Sequence, residues 1–255
     1  MITLATLLPA VVGAADVTVR DLAARLYHAD SKQPLQLGGL DMRNLDLSGL
    51  DFKGATLAAS NLFGSDLSRA DLSKADLKGA RLDRVIIIGT RFDGADLSDT
   101  SFLRPSTFST LAAPLEEVAS FAGANLSRTR LFGRFNRTSF AGANLSGARL
   151  APFTKTGFIE HIWRTELVGA NLSKANLTGA DLTYTLLAFA NLRGANLSGA
   201  VLRKADLSRA DLTDADLTGV DLADADLDGA ILTGAHGLDT AQGLATARNV
   251  DRAIR

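Results

Sequence analysis

Apolar residues recur at every fifth position of this chain. From Leu37 to Phe102, fourteen successive fifth positions are all Leu, Met, Ile or Phe, and from Leu167 to Leu232 fourteen more are all Leu. The chain is 46% hydrophobic. Chance would fill those preset positions with a probability of about 4 in ten billion, so an internal repeat is the first thing to explain. A period of five matches neither the 3.6 of a helix nor the 2 of a strand. It describes a chain that changes direction every five residues.

Each apolar fifth residue is the centre of a pentad. In the block 165–234 the residue two before the centre is Ala in eleven of fourteen cases, with Thr165, Thr185 and Val220 as exceptions. Residues i−2 and i of an extended segment point to one side, so Ala and Leu both face inward. The residue between them faces out and is usually Asp or Asn, as at Asp206, Asp211, Asp216, Asn171 and Asn176. The fifth residue is Gly in seven of fourteen pentads, which permits a positive φ at a corner. The unit is a short inward-facing strand plus a corner. The expected core is built from the centres: Leu47, Phe52, Leu67, Leu72 and Leu77 in the first block, and Leu172, Leu177, Leu182, Leu207, Leu212, Leu217 and Leu222 in the second.

The runs ANLSKANLTGADL at 170–182, ADLSRADLTDADLTGVDLADADL at 205–227 and ADLSKADL at 70–77 resemble the pentapeptide repeat family, whose motif is A-(D/N)-L-x-x. The resemblance covers 35–234. It implies an all-β solenoid: a right-handed quadrilateral β-helix with four pentads per coil and a filled core without a pocket. At 20 residues per coil that gives about ten coils, a rod of roughly 50 Å at ~4.8 Å per rung. Family members are mostly bacterial, and few have an assigned activity.

The ends and the middle depart from the repeat. Residues 1–15 are apolar and end in small residues, with Val12/Ala14 or Gly13/Ala15 where a signal peptidase would read. They resemble a short secretory signal without a basic start; the other reading is an apolar segment tucked onto the first coil. Export would place the protein in the periplasm or outside the cell, and retention in the cytoplasm. Residues 16–34 read as an amino-terminal cap. Within them 18–27 form a helix, with Thr18 and Asp21 as its capping pair and Val19, Leu22, Ala23 and Leu26 on one face. The first coil carries Leu35, Leu40, Leu45 and Leu50 where later coils carry Ala, a wider apolar end that suits docking of that helix. The solenoid spans 35–234, with irregular stretches at 103–118, 134–137 and 153–164. The first keeps no phase. Residues 235–255 read as a carboxy-terminal cap or tail, with a short helix over 240–252.

Composition narrows the chemistry. Formal net charge is −1, so no global field points to nucleic acid or a membrane surface. There is no Cys, which removes disulfides, thiolate metal sites and cysteine nucleophiles. No apolar run reaches the ~18 residues of a spanning helix. The three His residues, His28, His161 and His236, lie too far apart along a rod to share a metal. No phosphate-binding glycine motif occurs, and the outward Asp residues read as solvation. The expectation is therefore no catalytic residue, no metal and no cofactor, in a chain that is not an enzyme.

Charge is segregated along the sequence. Residues 125–164 hold Arg128, Arg130, Arg134, Arg137, Arg149, Lys155 and Arg164 against Glu160, a net +6; residues 205–228 hold eight Asp against Arg209, a net −7. These are either solvated faces or docking surfaces for a charged partner. The segment 153–164 gathers Phe153, Phe158, Ile159, His161, Ile162, Trp163 and Arg164, the aromatic-plus-Arg composition of interaction hot spots. The alternative there is a loop folded back on the rod. The candidate partner contacts are thus Arg128, Arg130, Arg134, Arg137, Phe158, His161, Trp163 and Arg164. The leading function is a scaffold or protein-binding module acting through its outer face and irregular loops, with no small-molecule substrate, and direct nucleic-acid binding is not expected. The alternative, implied by the resemblance, is a DNA-mimicking protein that binds and protects a topoisomerase such as gyrase. Arg128–Arg149 would interrupt its acidic stripe.

Overall fold

The computed structural model describes residues 15–30, 33–52, 54–108, 114, 117–152 and 164–255. Each pentad forms one side of a four-sided coil. The residue before the centre makes a parallel bridge to its counterpart one coil on: Asp41 with Asn61, Asp46 with Asp66, Asp51 with Asp71. Backbone bonds run along the rod. Leu47 N–H donates to the Asp66 carbonyl at 2.7 Å, and Asp66 N–H to the Leu45 carbonyl at 2.9 Å. Parallel crossovers of this kind are right-handed.

Four faces result. The first carries the centres Leu37, Leu57, Leu77 and Leu97; the second Met42, Leu62, Leu82 and Phe102; the third Leu47, Leu67, Ile87 and Thr107; the fourth Phe52, Leu72, Phe92 and Phe121. Leu172, Leu177, Leu182, Leu207, Leu212, Leu217 and Leu222 continue these columns, and all seven are buried. The Ala two before each centre packs beside it, so the interior is filled. Where that position is Thr, a backbone carbonyl satisfies most of the hydroxyls: Thr90 donates to the Leu67 carbonyl at 2.7 Å and Thr129 to the Leu97 carbonyl at 2.8 Å. A buried hydroxyl without such a partner is costly.

Corners turn on a residue two past the centre, with φ near +60°. Gly179 has φ 62°, but Lys174 (57°), Tyr184 (62°) and Phe189 (59°) adopt the same conformation. Glycine is thus permitted at the corner rather than required.

The outward Asp and Asn do more than meet water. Each turns its Oδ1 onto the backbone N–H two residues on: Asp206 accepts from Ser208 at 2.9 Å, Asn176 from Thr178 at 3.1 Å, Asp216 from Thr218 at 2.9 Å. This Asx bond closes the corner. On the first face the Asn side chains also bond to one another. Asn125 Nδ2 donates to Asp96 Oδ1 at 3.0 Å, Asn144 to Asn125 at 3.1 Å and Asn176 to Asn144 at 3.2 Å.

The middle preserves the ladder despite changes in coil length. Bridge partners lie 29 residues apart from Arg91 to Ser120, 19 from Ser120 to Ser139 and 32 from Ser139 to Asn171. The stretch 103–118 holds phase for one more pentad than its sequence suggests: Ser106 bridges Ile86, and Thr107 is buried at the centre position. Phenylalanine fills the core at this height. On the fourth face Phe92 stacks on Phe121 at 4.7 Å and Phe121 on Phe140 at 5.0 Å, with Phe102 and Phe135 edge-on beside them.

Helix α1 spans Val19–His28. Thr18 Oγ1 accepts from the Asp21 N–H, and Leu22 and Leu26 are buried in the same cluster that Leu35, Leu40, Leu45 and Leu50 pack against. At the other end, the helix expected over 240–252 does not form. The ladder continues instead through His236, Gln242, Arg248 and Ile254, bridged to Asp216, Asp221, Asp226 and Ile231, and only Val250–Arg252 makes a 3-10 turn. The sides are now six residues long. Gly237 and Gly243, with φ 78° and 69°, turn corners that a helix would straighten.

Candidate functional site

The rod departs most from its own repeat at the corner between the second and third faces. From Leu131 to Phe135 the chain spends four residues where the repeat spends five. Strand β1 (Ser101–Leu103) pairs in parallel with β2 (Arg130–Phe132), in the register Ser101 to Arg130 and Leu103 to Phe132. The Arg104 N–H then donates to the Phe132 carbonyl at 2.6 Å. Beyond that bond the missing residue takes effect. Among the described residues no bridge joins Ser106 to Arg134, although Arg134 bridges Glu166 on the next coil.

The missing rung leaves a notch of about 310 Å³, lined by Arg104, Pro105, Phe132, Gly133, Arg134, Arg164 and Glu166. Gly133 makes the close approach possible. Its φ is 153°, and a Cβ there would stand 2.9 Å from Pro105 Cδ. Three arginines therefore line one corner with one carboxylate. Glu166 Oε2 accepts from Arg134 Nε at 3.2 Å and from Asn136 Nδ2 at 2.8 Å. Arg164 lies over the Tyr184 ring at 5.8 Å, and its Nε is buried without a hydrogen-bond partner. A buried donor of that kind suits an acceptor supplied from outside the chain.

The sequence-derived contact residues divide. Arg134 and Arg164 meet in the notch. Arg130 is exposed on the adjoining second face, one rung from Arg149. Arg128 instead sits at the corner between the first and second faces. There its guanidinium grips Asp99, with Nε–Oδ1 and Nη2–Oδ2 both at 2.7 Å, and holds that carboxyl below its ordinary range. Arg137 turns the corner between the third and fourth faces, with φ 63°. The basic segment is thus spread around the rod, because five residues of sequence carry the chain one face onward. Phe158, His161 and Trp163 lie outside the described residues.

Sequence reading missed Arg104, which belongs to the coil before the basic segment. Arg81 and Arg84 were missed likewise. They are exposed one coil further on, with their guanidinium groups 4.5 and 5.7 Å from the Phe63 ring. The acidic segment is also spread: Asp206 and Asp226 lie on the third face, Asp211 on the fourth, Asp216 on the first and Asp221 on the second. Each face carries Asp both before and after the middle coils, although its last rung is His236, Gln242, Arg248 or Ile254. The first face runs Gln36, Thr56, Asp76, Asp96, Asn125, Asn144, Asn176, Asn196, Asp216, His236; the second runs Asp41, Asn61, Arg81, Ser101, Arg130, Arg149, Asp181, Val201, Asp221, Gln242. No cluster of metal-ligating side chains occurs among the described residues, and none of their helices is long and apolar enough to cross a membrane.

The family profile of pentapeptide repeats matches in eight copies, within residues 60–99, 164–199, 184–219 and 195–234. Among solved structures the chain is similar to HetL, a pentapeptide repeat protein involved in heterocyst differentiation regulation from the cyanobacterium Nostoc sp. strain PCC 7120. The identity is 26%, covering 89% of this chain and 94% of that one, with a TM-score of 0.37. It is also similar to full-length QnrB1, a plasmid-mediated fluoroquinolone resistance protein, at 22% identity over 79% of this chain and 91% of that one, TM-score 0.25. Rfr23, a pentapeptide repeat protein of the cyanobacterium Cyanothece 51142, is 29% identical over 48% of this chain and 90% of its own, TM-score 0.24. Among curated proteins no sequence matches the chain.

Proposed function

Because the chain belongs to the pentapeptide repeat family, we propose that it is a non-enzymatic, protein-binding rod that engages an acidic partner at the corner between its second and third faces. One observation carries this reading: Arg104, Arg134 and Arg164 converge where the ladder loses a rung. Arg81, paired with Asp83 at 3.0 Å, and Arg130 and Arg149 follow on the second face, with Arg84 at its corner. The two long insertions flank the same region. One leaves the ladder after Thr107, between the third and fourth faces, and the other after Leu150, between the second and third. A filled core supports binding over catalysis.

Against the alternative of DNA mimicry stands the order of charges. DNA presents a charge every ~1.7 Å of its axis. Here the second face passes from Asp41 through Arg81, Arg130 and Arg149 to Asp181.

Capture from a native extract tests the proposal, using the wild type, an Arg104→Glu/Arg134→Glu pair and an Asp96→Asn control on the first face. Wild type and control should retain one defined partner that the glutamate pair loses; retention by all three refutes the corner. In parallel, gyrase supercoiling should be unaffected at micromolar protein, and inhibition would favour the alternative. Export is proposed from residues 1–15 alone. A mature protein that keeps Met1 would refute it.

A further inference from the structure

We propose that the third face, at the rung carrying Tyr184, Leu186 and Phe189, docks an extended partner segment that presents one apolar side chain between two carboxylates. This rests on the reading of the rod as a binder of an acidic partner and adds the surface that takes that partner's apolar residue. Tyr184 turns the corner between the second and third faces, Leu186 stands outward on the third face, and Phe189 turns the next corner. Each of these choices works against the rules that the rest of the rod follows. Tyr184 and Phe189 hold φ 62° and 59°, a conformation that glycine adopts without strain. Leu186 occupies the position from which Asp206, one coil on, closes its corner by accepting from the Ser208 N–H. Leucine offers no such oxygen, and the Ala188 N–H has no acceptor among the described residues. Phe189 is 57% exposed, so core packing does not explain it. Residues that break local rules without a gain in folding point to function.

Charge selects the occupant. Arg164 lies over the Tyr184 ring at 5.8 Å and Arg209 over the Phe189 ring at 5.5 Å. Among the described residues neither guanidinium shares an ion pair, and the buried Arg164 Nε has no hydrogen-bond partner. Lys204 is already engaged with the Tyr184 hydroxyl, to which its Nζ donates at 3.1 Å. The two arginines stand at opposite corners of the face, Arg164 one coil before the apolar rung and Arg209 one coil after it. Glu166, which is paired with Arg134, and Asp206 lie one rung to either side of Leu186. A carboxylate is therefore repelled at the centre of the patch and attracted at its two ends, which leaves the centre to an apolar side chain. The spacing agrees. Two rungs separate the arginines by ~9.6 Å along the axis, and three extended residues by at least ~6.6 Å across it. Carboxylates four residues apart in an extended segment lie roughly 13 Å from each other. Aromatic rings beside arginine are also the composition of interaction hot spots. Gly169, one coil before Phe189 at the same corner, has no side chain to cover that ring.

Two substitutions return the rung to the rod's own rules and so separate docking from folding. Leu186→Asn supplies the oxygen that closes a corner, and Phe189→Gly the residue that suits a positive φ. Thermal unfolding of the full chain should place both variants at or above the wild-type Tm. A fall of more than about 4 °C in either would make these side chains structural and overturn the proposal. Binding is read by fluorescence anisotropy with a labelled Glu-Ser-Phe-Ser-Glu peptide, whose alternate residues face one side when extended. Glu-Ser-Ser-Ser-Glu and Lys-Ser-Phe-Ser-Lys should each bind at least about tenfold more weakly. Leu186→Asn, Phe189→Gly and Arg209→Ala should each weaken the acidic peptide by about tenfold or more, and Arg43→Ala, at the amino-terminal end of the rod, should leave it unchanged. No binding of the acidic peptide at millimolar concentration would overturn the surface, as would equal binding of the lysine peptide or full binding by a Leu186→Asn/Phe189→Gly pair. The two readings fail separately. A captured partner without peptide binding removes this surface alone, and peptide binding without a captured partner removes the notch alone.

Discussion

Gly133→Ala is the sharpest probe of the notch, because two effects add there and one neighbour isolates them. The first effect is conformational. Gly133 has φ 153°, a region that residues bearing a Cβ enter at a cost of roughly 1–3 kcal/mol. The second is steric. The new methyl would lie 2.9 Å from Pro105 Cδ and 3.4 Å from Arg104 Cα, where carbon atoms prefer ~3.5–4.0 Å. Pro105 Cδ belongs to a ring closed onto the backbone, so it cannot swing aside. Overpacking of this kind costs about 1–3 kcal/mol, and the two together about 2–6 kcal/mol. Gly179→Ala is the control: its φ is 62° and no atom lies within 4 Å of the added Cβ. It bears only the left-handed cost of about 1–2 kcal/mol, reduced by about 0.4–1 kcal/mol through the stiffer unfolded chain. Thermal and denaturant unfolding followed by circular dichroism should place Gly133→Ala well below Gly179→Ala, each 1 kcal/mol moving Tm by about 2–4 °C. A repeat rod can also open locally, so exchange of the Arg104 amide should quicken in Gly133→Ala alone. Equal stability of the two variants, with unchanged exchange at Arg104, would refute the close approach as the reason for Gly133.

Two further outcomes follow from the outward Asp and Asn. Asn144→Asp removes the amide that donates to Asn125 Oδ1 while keeping the acceptor for Ser146 N–H, so it should cost about 1 kcal/mol in denaturant unfolding; an unchanged midpoint would show that the amide ladder does not contribute. Hydrogen bonds from Ser48 and Thr218 hold the Asp46 and Asp216 carboxyls below their ordinary range. Their contribution is therefore complete above the unfolded value of about 3.9 and is lost as pH falls through the lower folded values, so the rod should lose stability on acidification below about pH 4. Asp216→Asn keeps the acceptor without the titration and should flatten that acid limb, and an identical acid profile would refute the assignment.

The core was legible because its signal is local. A centre, its Ala and its corner fall within one pentad, and twenty-eight regular pentads repeat the statement. The role of the outward residue was legible in its type but not recognised: solvation would have accepted Glu or Lys as readily, whereas an Oδ1 reaching the N–H two residues on demands Asp or Asn, as Asn176 and Asp206 show. The site was hidden for a different reason. Neighbours along the rod lie one coil apart in sequence, and three coils in the middle have lengths of 29, 19 and 32 residues. Summing charge over a window joined Arg128 to Arg137, which face different sides, and parted Arg104 from Arg134, which share a notch. The carboxy-terminal ladder misled because its six-residue sides keep apolar residues at intervals that also suit a helix.

A regular rod has a weakness as a recognition surface. Rungs repeat every ~4.8 Å, so a partner that slips by one rung meets nearly the same backbone and differs only in outward side chains. A corner one residue short does not repeat, and a partner seated in it is fixed in register along the axis. Such a defect must be stabilised from elsewhere in the same coils. The lost rung removes backbone hydrogen bonds worth about 0.5–1.5 kcal/mol each. On the adjoining fourth face, at the same height, Phe92, Phe121 and Phe140 stack at 4.7 and 5.0 Å, and each such pair adds about 0.5–1.5 kcal/mol beyond its burial. The two quantities are of one size.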